Sequence, residues 1–373
     1  MQIEQRRWDH AQPKEPAHLG AELVFAFGGT EALADPKNVE AVRKAYPKAH
    51  LLGSSTAGEI LGTAVSDNSL VTTAVHFDAT RVRLADVDMR DCKGSADAGA
   101  RLAAAVSGPG LAHVFVLSDG QSVNGSDLAR GLQEHLPDGV AVTGGLAGDG
   151  ARFAHTFVLS DQGAAEGRVA AVAFYGDKLH VGYGSLGGWD PFGPQRLVTK
   201  SKGNVLYELD GQPALALYKR YLGEHASGLP STGLLFPLSI TSEGGGPELV
   251  RTILAVNEKD QSLTFAGDLP EGSYARLMKA NFDRLVEGAH GAAAASQKAL
   301  GSGAQLALLV SCVGRKLVLR SRIEDELEAV REVVGPDAAL TGFYSYGEIC
   351  PSAPNASCEL HNQTMTITTF HED

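Results

Sequence analysis

Three stretches of this chain place small residues, glycine and a carboxylate directly after an apolar run, two of them with hydroxyls and the weaker one, at 144–149, without. They are Gly53-Ser54-Ser55-Thr56-Ala57-Gly58-Glu59-Ile60, Gly144-Gly145-Leu146-Ala147-Gly148-Asp149 and Gly342-Phe343-Tyr344-Ser345-Tyr346-Gly347-Glu348-Ile349-Cys350-Pro351. Glycine lets the backbone approach a ligand closely, and the hydroxyls of Ser54, Ser55, Thr56 and Ser345 both donate and accept hydrogen bonds. Glu59, Asp149 and Glu348 supply anionic partners for an ammonium or guanidinium group, and Tyr344 and Tyr346 offer aromatic faces to a cation. The competing reading is that each Gly-acid pair is a turn whose carboxylate caps backbone amides, a role that duplication would repeat.

A second constellation follows the last turn: Cys350-Pro351, Cys358 and His361, with Cys312 upstream. Thiol and imidazole ligate haem and zinc, and His361 and Cys350 are the candidate haem ligands. The 350, 358, 361 spacing is not a structural zinc pattern, and free cysteine is commonly a small buried hydrophobe. Catalytic motifs are missing. Gly53 to Gly58 lacks the Lys-Ser/Thr ending of a phosphate loop, Gly144 to Gly150 does not fit G-x-G-x-x-G, and no G-x-S-x-G elbow occurs. A hydrolytic triad of Ser54 or Ser55 with His361 and a carboxylate would have to be assembled by the fold, so the expectation is that the protein is not an enzyme.

Strands and helices must position these turns. The run Glu22 to Phe27 ends in Gly28-Gly29 and reads as a buried strand, Asp35-Pro36 opens a helix, and His50 to Leu52 delivers the first turn. The order repeats: the distance from Phe25 to Glu59 equals that from Phe115 to Asp149, and Leu306 to Val310 begins a third pass. The fold expected is α/β, two domains built from repeated strand-helix-strand-turn-strand units with mixed sheets. Residues 70–77 and 82–89 suggest a hairpin, 204–222 a helix broken at 211–213, and 274–300 one long helix. Residues 1–20, polar and bearing Pro13 and Pro16, are expected to be a flexible arm. The glycine and proline of 187–194 mark a boundary between a domain over 21–190, internally duplicated as 21–90 and 111–187, and a second over 195–373.

Composition narrows the function. Over 373 residues the net charge is −12, with 44 acidic against 32 basic residues, and no basic cluster tracks a phosphate backbone, which argues against nucleic acid. No apolar run approaches a membrane span and residues 1–18 lack the apolar core of a leader, so a cytoplasmic location is expected. Four cysteines are too few for a disulfide framework in a chain of this length.

Taken with Gly203 to Gly211 and Leu360-His361-Asn362-Gln363-Thr364, the three turns resemble the FIST family, with its N-terminal and C-terminal domains, over about residues 21–370. The resemblance implies a sensory module of intracellular signal transduction that binds a small molecule such as an amino acid. No kinase, cyclase or F-box segment is present, so output is expected to pass to a separate signalling protein. Some family members are described as haem proteins that sense nitric oxide and regulate a histidine kinase. That is the alternative, with haem as cofactor on Cys350 and His361. In the leading reading the ligand is held by Ser54, Ser55, Thr56, Glu59, Asp149, Tyr344, Ser345, Tyr346 and Glu348.

Overall fold

The computed structural model describes residues 1–8, 19–242, 244–245, 248–353 and 356–373. The chain passes three times through one pattern: a buried strand, helix, a parallel strand, a sharp turn, a short hairpin and a return strand. In unit 1 these are β2 (Leu23–Gly28), α1 (Thr30–Ala34), α2 (Pro36–Ala45), β3 (His50–Ser55), β4 (Glu59–Leu61), β5 (Ala64–Ser66) and β6 (Leu70–His76). Strand β1 (Gln2–Trp8) precedes the unit, and β7 (Arg81–Asp88) and α3 (Ser95–Val106) follow it. Unit 2 comprises β8 (Leu111–Ser118), α4 (Gly125–His135), β9 (Ala141–Leu146), β10 (Val158–Ser160), β11 (Gly163–Ala165), β12 (Arg168–Tyr175) and the following β13 (Leu179–Leu186).

An insertion intervenes before unit 3. It holds β14 (Trp189–Lys202), β15 (Val205–Leu209), β16 (Gln212–Pro213), α5 (Ala214–Leu222), β17 (Leu238–Thr241), β18 (Leu249–Arg251), β19 (Ile253–Asn257), β20 (Ser262–Phe265) and β21 (Tyr274–Ala280), followed by α6 (Phe282–Leu300). Unit 3 then runs β22 (Leu306–Cys312), α7 (Val313–Leu319), α8 (Ile323–Val334), β23 (Ala339–Ser345), β24 (Gly347–Pro351), β25 (Cys358–His361) and β26 (Met365–Glu372).

The units exchange strands in a ring. Unit 1's sheet has the order β1-β6-β2-β3-β10-β11, unit 2's β7-β12-β8-β9-β24-β25, and unit 3's β13-β26-β22-β23-β4-β5. Each sheet thus keeps three strands of its own, takes a hairpin from the next unit in the ring and takes one edge strand from elsewhere, which gives a pseudo-threefold arrangement. Alternation along the first strand of each unit explains the layers, because successive side chains point to opposite faces. Leu23, Phe25, Phe27, Phe115, Leu117, Leu308 and Val310 face a shared centre. Val24 and Ala26 face α1 and α2, while Val114, Val116, Ala307 and Leu309 face the helices of units 2 and 3. Phe25 meets Phe115 edge-on at 5.7 Å and Phe27 stacks on Phe343 at 4.9 Å. Burial of each such ring contributes roughly 1.5–3 kcal/mol, so the centre ties the three units into one core.

Several expectations change. Within the residues expected to form an arm, Gln2–Trp8 is a strand paired antiparallel with β6, its Trp8 Nε1 donating to Thr72 Oγ1 at 2.8 Å; residues 9–18 lie outside the described residues. The hairpin over 70–89 does not form, because β6 stays in unit 1's sheet while β7 crosses to pair with β12. Residues 205–209 and 274–280 are strands of the inserted sheet, where Val198, Leu206, Leu263 and Leu277 bury together. Sheet pairing also crosses the expected boundary at 190–195, since β13 pairs with β26 and β4 with β23. Unit 3 therefore packs with units 1 and 2, and the segment 189–280 is the part that forms a separate sheet.

Candidate functional site

The fold brings the three turns together. Ala57 N donates to Tyr344 O at 2.8 Å, Tyr344 N to Gly58 O at 2.8 Å, Gly148 N to Ser55 O at 2.9 Å and Tyr346 N to Leu146 O at 3.2 Å. Backbone meets backbone there and leaves no room for a ligand: a Cβ on Gly148 would lie 2.7 Å from Ala57 N. The serine hydroxyls of the first turn are turned into the fold as well. Ser55 Oγ accepts Phe157 N at 2.8 Å, and Ser54 Oγ is buried without a partner.

The two glutamates form one device used twice. Glu59 accepts Thr56 Oγ1 at 2.5 Å on one oxygen and Ser69 N and Oγ at 2.9 and 2.8 Å on the other. Glu348 accepts Ser345 Oγ at 2.5 Å, then Thr364 N and Oγ1 at 3.2 and 3.0 Å. Each carboxylate caps its own turn and pins the start of the return segment. Contact of Glu59, Glu348, Thr56 or Ser345 with a ligand is therefore replaced by turn chemistry.

Asp149 is not the third copy. Glu59 pairs with Phe343 and Glu348 with Gly145, and the residue at the same register beside Ser54 is Val158. Asp149 lies in an added loop. It accepts Thr30 Oγ1 at 2.5 Å, Arg152 Nε at 2.8 Å and His155 N at 3.1 Å. Burial pushes its carboxyl up, but the bonds from Arg152, Thr30 and His155 outweigh it and hold the group below the usual range.

Burial of the Glu348 carboxyl pushes its pKa up to about 8, with the bonds from Ser345 and Thr364 pulling the other way. The folded value then exceeds the unfolded value of ~4.3, so the folded state keeps a proton that the unfolded chain has released. Its contribution to stability is full below roughly pH 4 and is lost as pH rises towards 8. The urea midpoint of Glu348→Gln should accordingly fall less between about pH 5 and pH 8 than that of the parent. Parallel pH profiles would reject this role for Glu348.

The aromatics divide. Tyr344 is fully buried and its hydroxyl donates to Glu326 Oε1 at 2.6 Å, while the Tyr346 ring stacks on Phe153 at 4.3 Å and its hydroxyl donates to Gly150 O at 3.2 Å. The proposed haem ligands do not fit haem. His361 Nε2 donates to Cys350 O at 2.9 Å, so that nitrogen is committed to the β24–β25 pair. Burial drives the imidazole down to about 4 and the Cys350 thiol well up, leaving both neutral. Neither residue lines the clefts of about 690 and 450 Å³, and no cluster of His, Cys, Asp and Glu fit to hold a metal ion occurs among the described residues.

What opens to solvent is a cleft of about 690 Å³ in front of the turns, a size suited to a small organic ligand. Unit 1 contributes Val65 and Asp67, the added loop of unit 2 Phe153, unit 3 Lys316, Arg320 and Glu324, and the insertion Leu234, Ile253 and Leu254. Lys316 links the cleft to the turns: Nζ donates to Ala57 O at 2.8 Å, bonds Asp67 Oδ1 and lies 5.6 Å from the centre of the Tyr344 ring. Among the residues singled out in the sequence, Tyr344 and Tyr346 reach the cleft wall through Lys316 and Phe153. The lining residues carry no motif, since they come from five separate stretches.

The FIST N domain matches residues 22–212 and the FIST C domain residues 214–351. The chain belongs to the FIST family. FIST domains are sensor domains of signal transduction. The junction between the two matches falls inside the insertion, between β16 and α5. An uncharacterized protein of Methanocaldococcus jannaschii is 26% identical over 238 residues, covering 56% of this chain and 45% of its own length, so this FIST chain spans less than half of that relative. Two solved structures align along nearly the whole chain. A chorismatase covers 99% of this chain and 98% of its own at 10% identity with a TM-score of 0.36. The cyanuric acid hydrolase of A. caulinodans has the same coverage at 9% identity with a TM-score of 0.35. Similarities at this level carry no argument about activity. Among the described residues no helix is long and apolar enough to cross a membrane.

Proposed function

We propose that this FIST protein is a cytoplasmic sensor that binds a small molecule in the 690 Å³ cleft and passes its state to a separate signalling partner through the insertion. The observation that carries the reading is the composition of the cleft wall, drawn from all three units and the insertion, so that an occupant bears on every part of the fold at once. Leu234, Ile253, Leu254 and Phe153 suit an apolar body, and Lys316 and Arg320 suit a carboxylate, a combination met by amino acids with apolar side chains. The Arg320 side chain makes no hydrogen bond or ion pair with a described residue, although its backbone N–H donates to Lys316 O. Phe153 (φ 52°) and Arg320 (φ 51°) are non-glycine residues in left-handed backbone, a conformation that costs about 1–3 kcal/mol and gathers at functional sites.

Thermal unfolding against a metabolite panel that includes the amino acids tests the reading. A true ligand at a hundredfold excess over Kd should add about 2.7 kcal/mol of stability to the parent. Leu254→Trp, which fills the cleft from an exposed position, should abolish that shift, and Lys316→Met should weaken it. A shift that survives both substitutions, or a panel with no hit, would remove the cleft from consideration.

A further inference from the structure

A second cleft, of about 450 Å³, occupies the pseudo-equivalent place on the other side of the insertion. In the first, the helices of unit 3 face the hairpin of unit 1 that joins its sheet; in the second, α4 of unit 2 faces the hairpin of unit 3 that joins its sheet. The insertion covers both, and one stretch of it serves both clefts, with Leu249 and Arg251 lining the second and Ile253 and Leu254 the first.

The second cleft is built around a buried cation. Arg251 is 5% exposed and remains a cation at neutral pH, since burial lowers its pKa only to about 10. Its hydrogen bonds all go to carbonyl oxygens: Nε to Asp268 O at 3.1 Å, Nη1 to Leu360 O at 2.9 Å and to Val250 O at 3.3 Å. It feels the Glu359 and Asp268 carboxylates without bonding either, and Nη2 donates to no described residue. A buried charge with no counter-ion bonded to it is costly. Beside it, Glu359 Oε2 is buried with no hydrogen-bond partner, as is Ser126 Oγ across the cleft. Asp268 Oδ1 takes Asn124 Nδ2 at 3.2 Å, Arg130 is paired with Asp127, and Glu134 completes the charged lining.

We infer that this cleft is a second ligand site, for a small carboxylate that also carries a hydrogen-bond donor. The carboxylate neutralises Arg251 through Nη2, and the donor, a hydroxyl or an ammonium, satisfies Glu359 Oε2. The surrounding acids disfavour a bare anion, so the donor is part of the recognition. This site stands independently of the ligand assigned to the first cleft.

Calorimetric titration of the full chain with lactate, alanine and propionate tests it. Lactate or alanine, which carry the donor, should bind about tenfold more tightly than propionate, which lacks it. Which of the two binds identifies the donor as hydroxyl or ammonium. Leu249→Trp, filling the second cleft, and Glu359→Ala should each remove this preference, while Leu254→Trp in the first cleft leaves it intact. Absence of binding by all three compounds, equal binding of propionate, or loss on Leu254→Trp with retention on Leu249→Trp would each overturn the assignment.

Discussion

Replacing Glu326 with alanine is expected to destabilise the protein by about 3–5 kcal/mol, the cost of stripping a buried cation of its partner. Arg315 is fully buried, the largest side chain in the interior to be so, and pairs with Glu326 through Nη2 at 2.8 Å and Nε at 3.1 Å. It also donates to Gly187 O at 2.5 Å and Leu285 O at 2.7 Å, which ties α7 to the end of β13 and the start of α6. Glu326 also accepts the Tyr344 hydroxyl at 2.6 Å and the Ser311 hydroxyl at 3.2 Å. Its loss therefore orphans one charge and two hydroxyls at the back of the third turn. The double replacement Arg315→Met with Glu326→Leu should cost less than Glu326→Ala alone, because it removes the charge rather than leaving it unpaired. Urea unfolding of the three proteins measures this, and a double variant less stable than the single would reject the charge argument.

The repeat was legible in the sequence because buried strands followed by Gly-acid turns survive duplication as local patterns. Glu59 and Glu348, which the motif pairs, occupy equivalent positions in their hairpins. Equal spacing from Phe115 aligns Asp149 with them, yet a one-residue difference before Gly144 and the added loop after Leu146 shift it off register, and the equivalent Val158 carries no polar mark. The exchange of strands was not legible. Whether β7 folds back on β6 or crosses to β12 depends on which edge is free in the assembled ring, and a strand's own residues do not report that. Strand Tyr274–Ala280 merges in sequence with the alanine-rich α6, and only Asn281, whose side chain accepts Arg284 N, separates them. The clefts were hidden for a related reason: Asp67, Phe153, Leu254 and Lys316 are far apart in the chain and each is unremarkable alone.

Gly342→Ala is expected to be among the most damaging of methyl additions, above the roughly 1–3 kcal/mol typical of overpacking. A Cβ at Gly342 would sit 1.8 Å from Leu309 O; at Gly144 it would sit 1.8 Å from Val116 O, and at Gly53 1.9 Å from Ala26 O. These are the same position in three units, each facing its neighbour across the parallel pair of its own sheet. The offending atom is a backbone carbonyl fixed by the sheet, so no side-chain rotation relieves the contact. The glycines that look suited to close approach of a ligand serve instead the close approach of adjacent strands, two or three residues before each parallel pair ends. Gly303→Ala is the control, because a Cβ there meets nothing within 4 Å. Circular-dichroism melts should show Gly53→Ala, Gly144→Ala and Gly342→Ala severely and comparably destabilised and Gly303→Ala near the parent. Comparable losses at all three sites follow only if the units are equivalent, whereas a Gly342→Ala variant that melts with the control would show that the β22–β23 contact is not tight and that this copy of the turn is held by its hydrogen bonds alone.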